Sequence, residues 1–360
     1  MSMIFGSDNM VGASAQVLDA IIEANHGALA SYGGDPWCLE AARRIAEVFE
    51  CEAEVFFVAS GTVANSLALS ALVPPWGAVF GQADSHILNE ESTAPELFTG
   101  GARMIGLPPS HGKLAPEALE QALSRPLHPP HRPVPGAFSL TQCNERGRVY
   151  GVAEVAALAT VARRHGLKVH MDGARFANAV ASLGCAPADI TWRAGVDVLT
   201  LGASKNGGLM AEAVVFFDRE LAADFAWRVK RAGQTAAKGR FFGAQFVGWL
   251  RDGHWLELAR HANAMASRLA QGIAVAPGAS LAWPCEANEV FALLPRERAE
   301  ALWAAGAMFY EWPQPASEGD PVPAPDHLLA RLVTSFLTEA DEVDRFIQLL
   351  TTGPSASPAT

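Results

Sequence analysis

Two stretches decide the fold: His170-Met-Asp-Gly-Ala-Arg-Phe-Ala-Asn178 and Leu201-Gly-Ala-Ser-Lys-Asn-Gly-Gly208. Each closes a short apolar, β-rich run, 167–171 and 197–201, and then breaks into small residues and glycine. Further runs of this kind lie at 54–59, 78–81, 103–107, 137–142 and 213–217. Helical spacing separates several of them, at 61–72, 115–123 and 152–165, the last stopping at Gly166. Strands alternating with helices predict an α/β fold with a mostly parallel sheet covered on both faces. Strands buried on both sides read as apolar runs, not as alternating patterns.

Past residue 221 the texture changes. A long helical region, 221–250, and a second helix, 255–272, precede strands near 290–294 and 331–335 and a helix over 339–350. These predict a large domain over 1–250 and a small C-terminal α+β domain over 251–350. A small, polar tail at 351–360 is expected to be disordered. Two proline-rich stretches, 126–136 and 313–326, read as loops or insertions.

Bulk properties narrow the function. The net charge of −11 argues against a broad nucleic-acid footprint, which needs clustered Lys and Arg. The five cysteines have no metal-ligand spacing, so no metal site is expected and the thiols read as reduced. No leader is legible in residues 1–12 and no run of eighteen apolar residues occurs, so a cytoplasmic protein without a membrane partner is expected.

The chemistry gathers at strand ends. Lys205 follows an apolar strand among small residues, where poor solvation lowers its basicity and favours the neutral amine needed for a Schiff base. The plain alternative is a loop lysine turned outward. Asp172 ends another strand and could pair with a protonated pyridine nitrogen, or merely cap a helix. Arg175 could reach a phenolic oxygen. In open α/β sheets, ligands bind at the carboxyl ends of strands, which sends Asp172 and Lys205 to one crevice. Ala59-Ser-Gly-Thr-Val-Ala-Asn65 is a strand–turn–helix junction suited to cradling phosphate, although many such turns look alike. In Asp84-Ser-His-Ile-Leu-Asn-Glu-Glu91, His86 could stack on a planar ring or be structural.

Taken together and in order, these motifs resemble the threonine aldolase and β-eliminating lyase family of aspartate-aminotransferase-type (fold type I) pyridoxal-phosphate enzymes. The resemblance also draws on Ser7-Asp8-Asn9, Tyr32-Gly33-Gly34-Asp35 and Arg331-Leu-Val-Thr-Ser-Phe336. The Lys205-Asn206-Gly207 form is most similar to bacterial low-specificity L-threonine and L-phenylserine aldolases. The resemblance implies a seven-stranded large-domain sheet and pyridoxal 5'-phosphate carried on Lys205 as its internal aldimine. It implies Gly61, Thr62, Ser204 and Arg240 about the cofactor, His86 stacked on its ring, Asp172 on the pyridine nitrogen and Arg175 on the phenolic oxygen. Ser7, Arg175 and Arg331 would receive the substrate carboxylate, and Tyr32 would come from a neighbouring subunit of a homodimer or homotetramer. The base would be His86, or a water held by His86 and Glu91.

The implied reaction is cleavage of L-threonine, L-allo-threonine or a related β-hydroxy-α-amino acid to glycine and an aldehyde. A β-eliminating lyase and a non-catalytic cofactor-binding relative are the alternatives. A dinucleotide-dependent dehydrogenase lacks its Gly-x-Gly-x-x-Gly motif after the first strong strand. Trp37 and the 313–326 stretch depart from the family pattern and bear on which aldehyde fragment fits. For Arg331, no acid lies within its own strand-like segment, so the alternative is a salt bridge to an acid elsewhere.

Overall fold

A computed structural model describes residues 3–313 and 319–352. Its centre is a seven-stranded sheet formed by β1 (Glu54–Val58), β2 (Gly77–Gln82), β3 (Arg103–Leu107), β4 (Val134–Thr141), β5 (Lys168–Gly173), β6 (Val198–Gly202) and β7 (Glu212–Phe216). The spatial order is β1-β7-β6-β5-β4-β2-β3. All neighbours are parallel except β7, which runs antiparallel to both β1 and β6.

Alternate residues of these strands feed two cores. Ala137, Val198 and Val214 pack on one face with the helix Gly61–Leu72. Phe138, Leu199 and Val215 pack on the other, with residues of the helices Val152–Arg164, Phe176–Leu183 and Arg240–Leu250. Every residue of β2, β6 and β7 is buried, which is why these strands read as continuous apolar runs. Gly166 stops the helix before β5 in the left-handed region, at φ +76°.

A four-stranded antiparallel sheet stands apart. Glu289–Pro295 pairs with His327–Val333, flanked by Ser280–Leu281 and Tyr310–Glu311. The N-terminal strand Met3–Ile4 runs parallel to Ala307–Met308 and buries Met3 and Phe5 in this sheet's core. The helix His254–Val275 joins the two cores: Trp255 and Ala259 belong to the first, Leu269 and Ile273 to the second. Among the described residues, no helix is long and apolar enough to cross a membrane.

Several expected boundaries move. The 221–250 stretch is not one helix: Phe225–Arg231 and Arg240–Leu250 are separated by a turn in which Gly233 takes φ +73°. That break lets the Gln234 side chain accept a hydrogen bond from Ala59 N at the end of β1. The second strand of the small sheet is His327–Val333, not 331–335, because the Thr334 hydroxyl turns aside to the Ala262 carbonyl. Of the 126–136 loop, residues 134–136 already belong to β4. The last helix extends through Thr352, so residues 351 and 352 are helical, and 353–360 lie outside the described residues. Of 313–326, residues 314–318 also lie outside, and 319–326 form no helix or strand.

Candidate active site

A cleft of about 380 Å³ opens where the carboxyl ends of β4, β5 and β6 meet the start of the helix Gly61–Leu72. Gly61, Thr62, His86, Glu91, Asp172, Arg175, Ser204 and Lys205 all line it.

Lys205 sits in the tight turn Ser204–Asn206 after β6. The turn is pinned: Trp249 Nε1 donates to the Asn206 carbonyl, and Asn206 Nδ2 donates to the Trp255 carbonyl. Gly207 follows at φ +92°, where a side chain would also strike Leu258. Beyond it, Gln245 Oε1 accepts from both Leu209 N and Met210 N. Burial lowers the basicity of Lys205, helped by the nearby Arg175 guanidinium and opposed by Asp8, Asp172 and Glu289. Lys205 is half-buried and lines the cleft.

Asp172 is not a helix cap. The next helix, Phe176–Leu183, takes Arg175 as its N-cap residue. The Asp172 carboxylate is held at both oxygens: Oδ1 accepts from Ala174 N at 3.0 Å and Oδ2 from Asn65 Nδ2 at 2.8 Å. The same Asn65 amide donates to Glu91 Oε1 at 2.9 Å, and that oxygen lies 2.9 Å from His86 Nδ1. The Glu91 contact raises the His86 ring from its ordinary value, and burial raises the Glu91 carboxyl.

Arg175 forks onto Asp8, with Nε and Nη2 donating to the two carboxylate oxygens at 2.7 and 2.9 Å. Burial alone would raise the Asp8 carboxyl; the Arg175 guanidinium overrides it and holds Asp8 below its ordinary value. Arg175 Nη1 also lies 3.4 Å from Glu289 Oε2, while the other oxygen of Glu289 accepts from Arg331 Nη2 at 2.6 Å. Glu289 thus stands between two guanidiniums, and Arg331 stacks over Trp312 at 4.7 Å. The acid facing Arg331 comes from the neighbouring strand, outside the arginine's own segment.

Four expected contributors stand elsewhere. Arg331 does not line the cleft and approaches it only through Glu289. Ser7 accepts the Asn9 amide at the start of a short helical turn, and Asn9 lines the cleft in its place. Arg240 donates to the carbonyls of Ala24, His26 and Gly27. Tyr32 is exposed and lines a larger, apolar cavity of about 520 Å³ with Lys230 over its ring. That cavity has no carboxylate in its lining, so size does not make it the reaction site.

The cleft fits pyridoxal phosphate. The helix Gly61–Leu72 leaves the first amides, Gly61 and Thr62, outside its own hydrogen bonds, while the Ser60 hydroxyl caps Val63 N. A Cβ at Gly61 would meet nothing within 4 Å, so space is open over that helix end. Asn65, Glu145, Glu212, Asp8 and Glu289 belong to the site or its support and were not legible as such in the sequence. Glu212 is buried near Ser204 and pushed up to about 7 by that burial.

The chain is similar to known proteins over most of its length. The family described as β-eliminating lyase matches residues 5–295. The chain is 44% identical over 310 residues to a low specificity L-threonine aldolase of Pseudomonas sp. (strain NCIMB 10558), covering 86% of this chain and 89% of that protein. It is 45% identical over 307 residues to the Pseudomonas aeruginosa protein of the same name, covering 85% and 88%. A solved Leishmania major threonine aldolase superposes with a TM-score of 0.88 at 31% identity, over 96% of this chain and 98% of that one. The architecture is that of fold type I enzymes. With this fold and these relatives, the chain belongs to the β-eliminating lyase family.

Proposed function

We propose that the protein is a pyridoxal-phosphate-dependent aldolase that cleaves L-threonine, L-allo-threonine or related L-β-hydroxy-α-amino acids, L-phenylserine among them, to glycine and an aldehyde. The observation that carries this reading is a half-buried lysine of lowered basicity in the same cleft as a doubly anchored aspartate and an open helix N-terminus. The relatives' names support the choice of reaction.

Bound there, pyridoxal phosphate supplies an electron-withdrawing ring that takes up the electron pair left at the substrate's Cα. Lys205 is the amine that holds it. Gly61 and Thr62 would hold its phosphate, with Ser204 beside the cofactor, Asp172 would keep the pyridine nitrogen protonated, and Arg175 would pair with the phenolic oxygen. His86 covers the ring face, its orientation fixed by Glu91. Arg175 and Arg331 bind the substrate carboxylate, with Glu289 holding the two guanidiniums apart and in place.

The protein works as a homodimer or homotetramer, with Tyr32 completing the cleft of a neighbouring subunit. Exposed Tyr32, Leu39 and Trp227 around one apolar cavity support such an interface. Five free cysteines support a reducing, cytoplasmic setting.

Product analysis tests the reading. Purified protein loaded with pyridoxal phosphate is given L-threonine, L-allo-threonine and L-phenylserine. Equal amounts of glycine and the matching aldehyde are expected. A 2-oxo acid and ammonia in their place would assign the protein to β-elimination.

A further inference from the structure

We propose that Glu145 is a further catalytic residue of this cleft: its Oε2 receives the proton of the substrate's β-hydroxyl as the Cα–Cβ bond breaks. The inference rests on the aldolase reading above.

Glu145 follows β4 at the carboxyl edge of the sheet, and it lines the same cleft as Lys205, His86 and Asp172. Its two oxygens are used differently. Oε1 accepts the His86 backbone N–H at 2.7 Å and the Thr141 hydroxyl at 2.9 Å. Oε2 is buried and has no hydrogen-bond partner among the described residues. A buried carboxylate oxygen without a donor is costly unless a ligand supplies one, and a hydroxyl is such a donor.

The other acids of the cleft are committed. Asp172 is held at both oxygens. Glu91 also has one unpartnered oxygen, but its charge is matched by the His86 ring and its other oxygen is held by Asn65. His86 Nδ1 is taken up by Glu91 Oε1, and its ring is the group proposed to cover the cofactor. Glu212 lies near Ser204, with an oxygen 2.9 Å from where a Cβ on Gly202 would stand, tucked against the backbone of β6.

Glu145 touches only neutral donors, a backbone amide and a hydroxyl. Asp84 and Asp172 act on it through space, and His86, Glu91, Arg175, Lys205 and Glu212 line the same cleft; Arg146, next in the chain, is bound to Asp84 at 2.5 Å and to Asp320. Burial pushes the Glu145 carboxyl up to about 7, opposed by the His86 N–H and reinforced by Asp84 and Asp172. A group poised there is ionised in useful amount and still basic enough to take a proton at neutral pH.

The step balances. The O–H proton passes to Oε2, and the O–H electron pair becomes the second bond of the aldehyde C=O. The Cα–Cβ bond breaks and leaves its pair at Cα. A proton returned there gives glycine, and Glu145 releases its own to solvent.

The test is Glu145→Gln in the loaded enzyme. The amide oxygen still accepts from His86 N–H and Thr141, so the loop stays pinned, but the side chain can no longer take a proton. We expect kcat for aldehyde release to fall about a hundredfold or more, and the rise of kcat/KM through pH of about 7 to vanish. Affinity of the apoprotein for pyridoxal phosphate and of the holoprotein for glycine, which has no hydroxyl, should be unchanged. Glu145→Asp should keep the pH-dependent rise at a lower kcat. Near wild-type kcat in Glu145→Gln with the same pH profile would overturn the assignment. So would parallel loss of cofactor and glycine binding, which would make Glu145 structural. A wild-type protein that releases no aldehyde would overturn the aldolase reading itself, and this inference with it.

Discussion

Asn65 donates one side-chain amide to two acids: Asp172 Oδ2 at 2.8 Å and Glu91 Oε1 at 2.9 Å. It lies on the buried face of the helix Gly61–Leu72, so the element proposed to hold the phosphate also orients the carboxylate proposed for the ring nitrogen. Replacing Asn65 by leucine leaves Asp172 Oδ2 without its donor, at about 1–3 kcal/mol for the unsatisfied group, and leaves Glu91 Oε1 with His86 alone. The apoprotein should then bind pyridoxal phosphate about tenfold more weakly or worse, read by fluorescence titration. Unchanged affinity would remove Asn65 from the cofactor's support.

Asp172→Asn should keep its cofactor and lose most of its turnover. The amide still occupies the same place, but it cannot stabilise a protonated pyridine nitrogen by charge. A loss of about a thousandfold corresponds to about 4 kcal/mol of transition-state stabilisation. Aldehyde release by protein with full cofactor occupancy is the measurement, and near-normal turnover would contradict the role.

Arg331 forks onto Glu289, with Nε and Nη2 at 3.1 and 2.6 Å from one oxygen, and stacks on Trp312. Lysine can reproduce neither the fork nor the stacked plane. Arg331→Lys should raise KM for every amino-acid substrate by about tenfold or more and leave the cofactor absorption intact. Steady-state kinetics decide it; an unchanged KM would leave Arg331 as a purely structural partner of Glu289.

His170, one residue before Met171 in β5, is fully buried between Ser139 and Thr200. Burial lowers its pKa to about 4, so the folded state keeps it neutral where the unfolded chain, near 6.5, takes up a proton. Between those values the unfolded state binds more protons, and stability falls as pH falls. The loss across the window is on the order of 3 kcal/mol. Chemical denaturation at pH 6.5 and 4 should show this loss in the wild type and a flatter dependence in His170→Asn. Equal slopes would show that His170 titrates normally.

Much of the fold was legible because its strands are buried on both faces, so runs such as Val198–Gly202 and Glu212–Phe216 announce themselves without periodicity. Lys205, Asp172, Arg175 and Gly61 could be sent to one crevice because each follows a strand end. Their supports could not. Asn65 lies 107 residues from Asp172, and Asn288, which donates to Asp8, lies 280 residues from it. Nothing local in the sequence marks such pairs. Glu145 and Glu212 look like ordinary acids until the sheet buries them. The 221–250 region kept its apolar spacing across Gly233, and only the left-handed turn there reveals two helices.

Lys205 is the amine proposed to carry pyridoxal phosphate. The protein is loaded with the cofactor, reduced with borohydride, digested, and its peptides mapped by mass spectrometry. The account predicts a pyridoxyl phosphate label on Lys205 alone, and a Lys205→Ala protein that shows neither label nor visible cofactor absorption. A label on another lysine, or an unlabelled Lys205 in fully loaded protein, would contradict it.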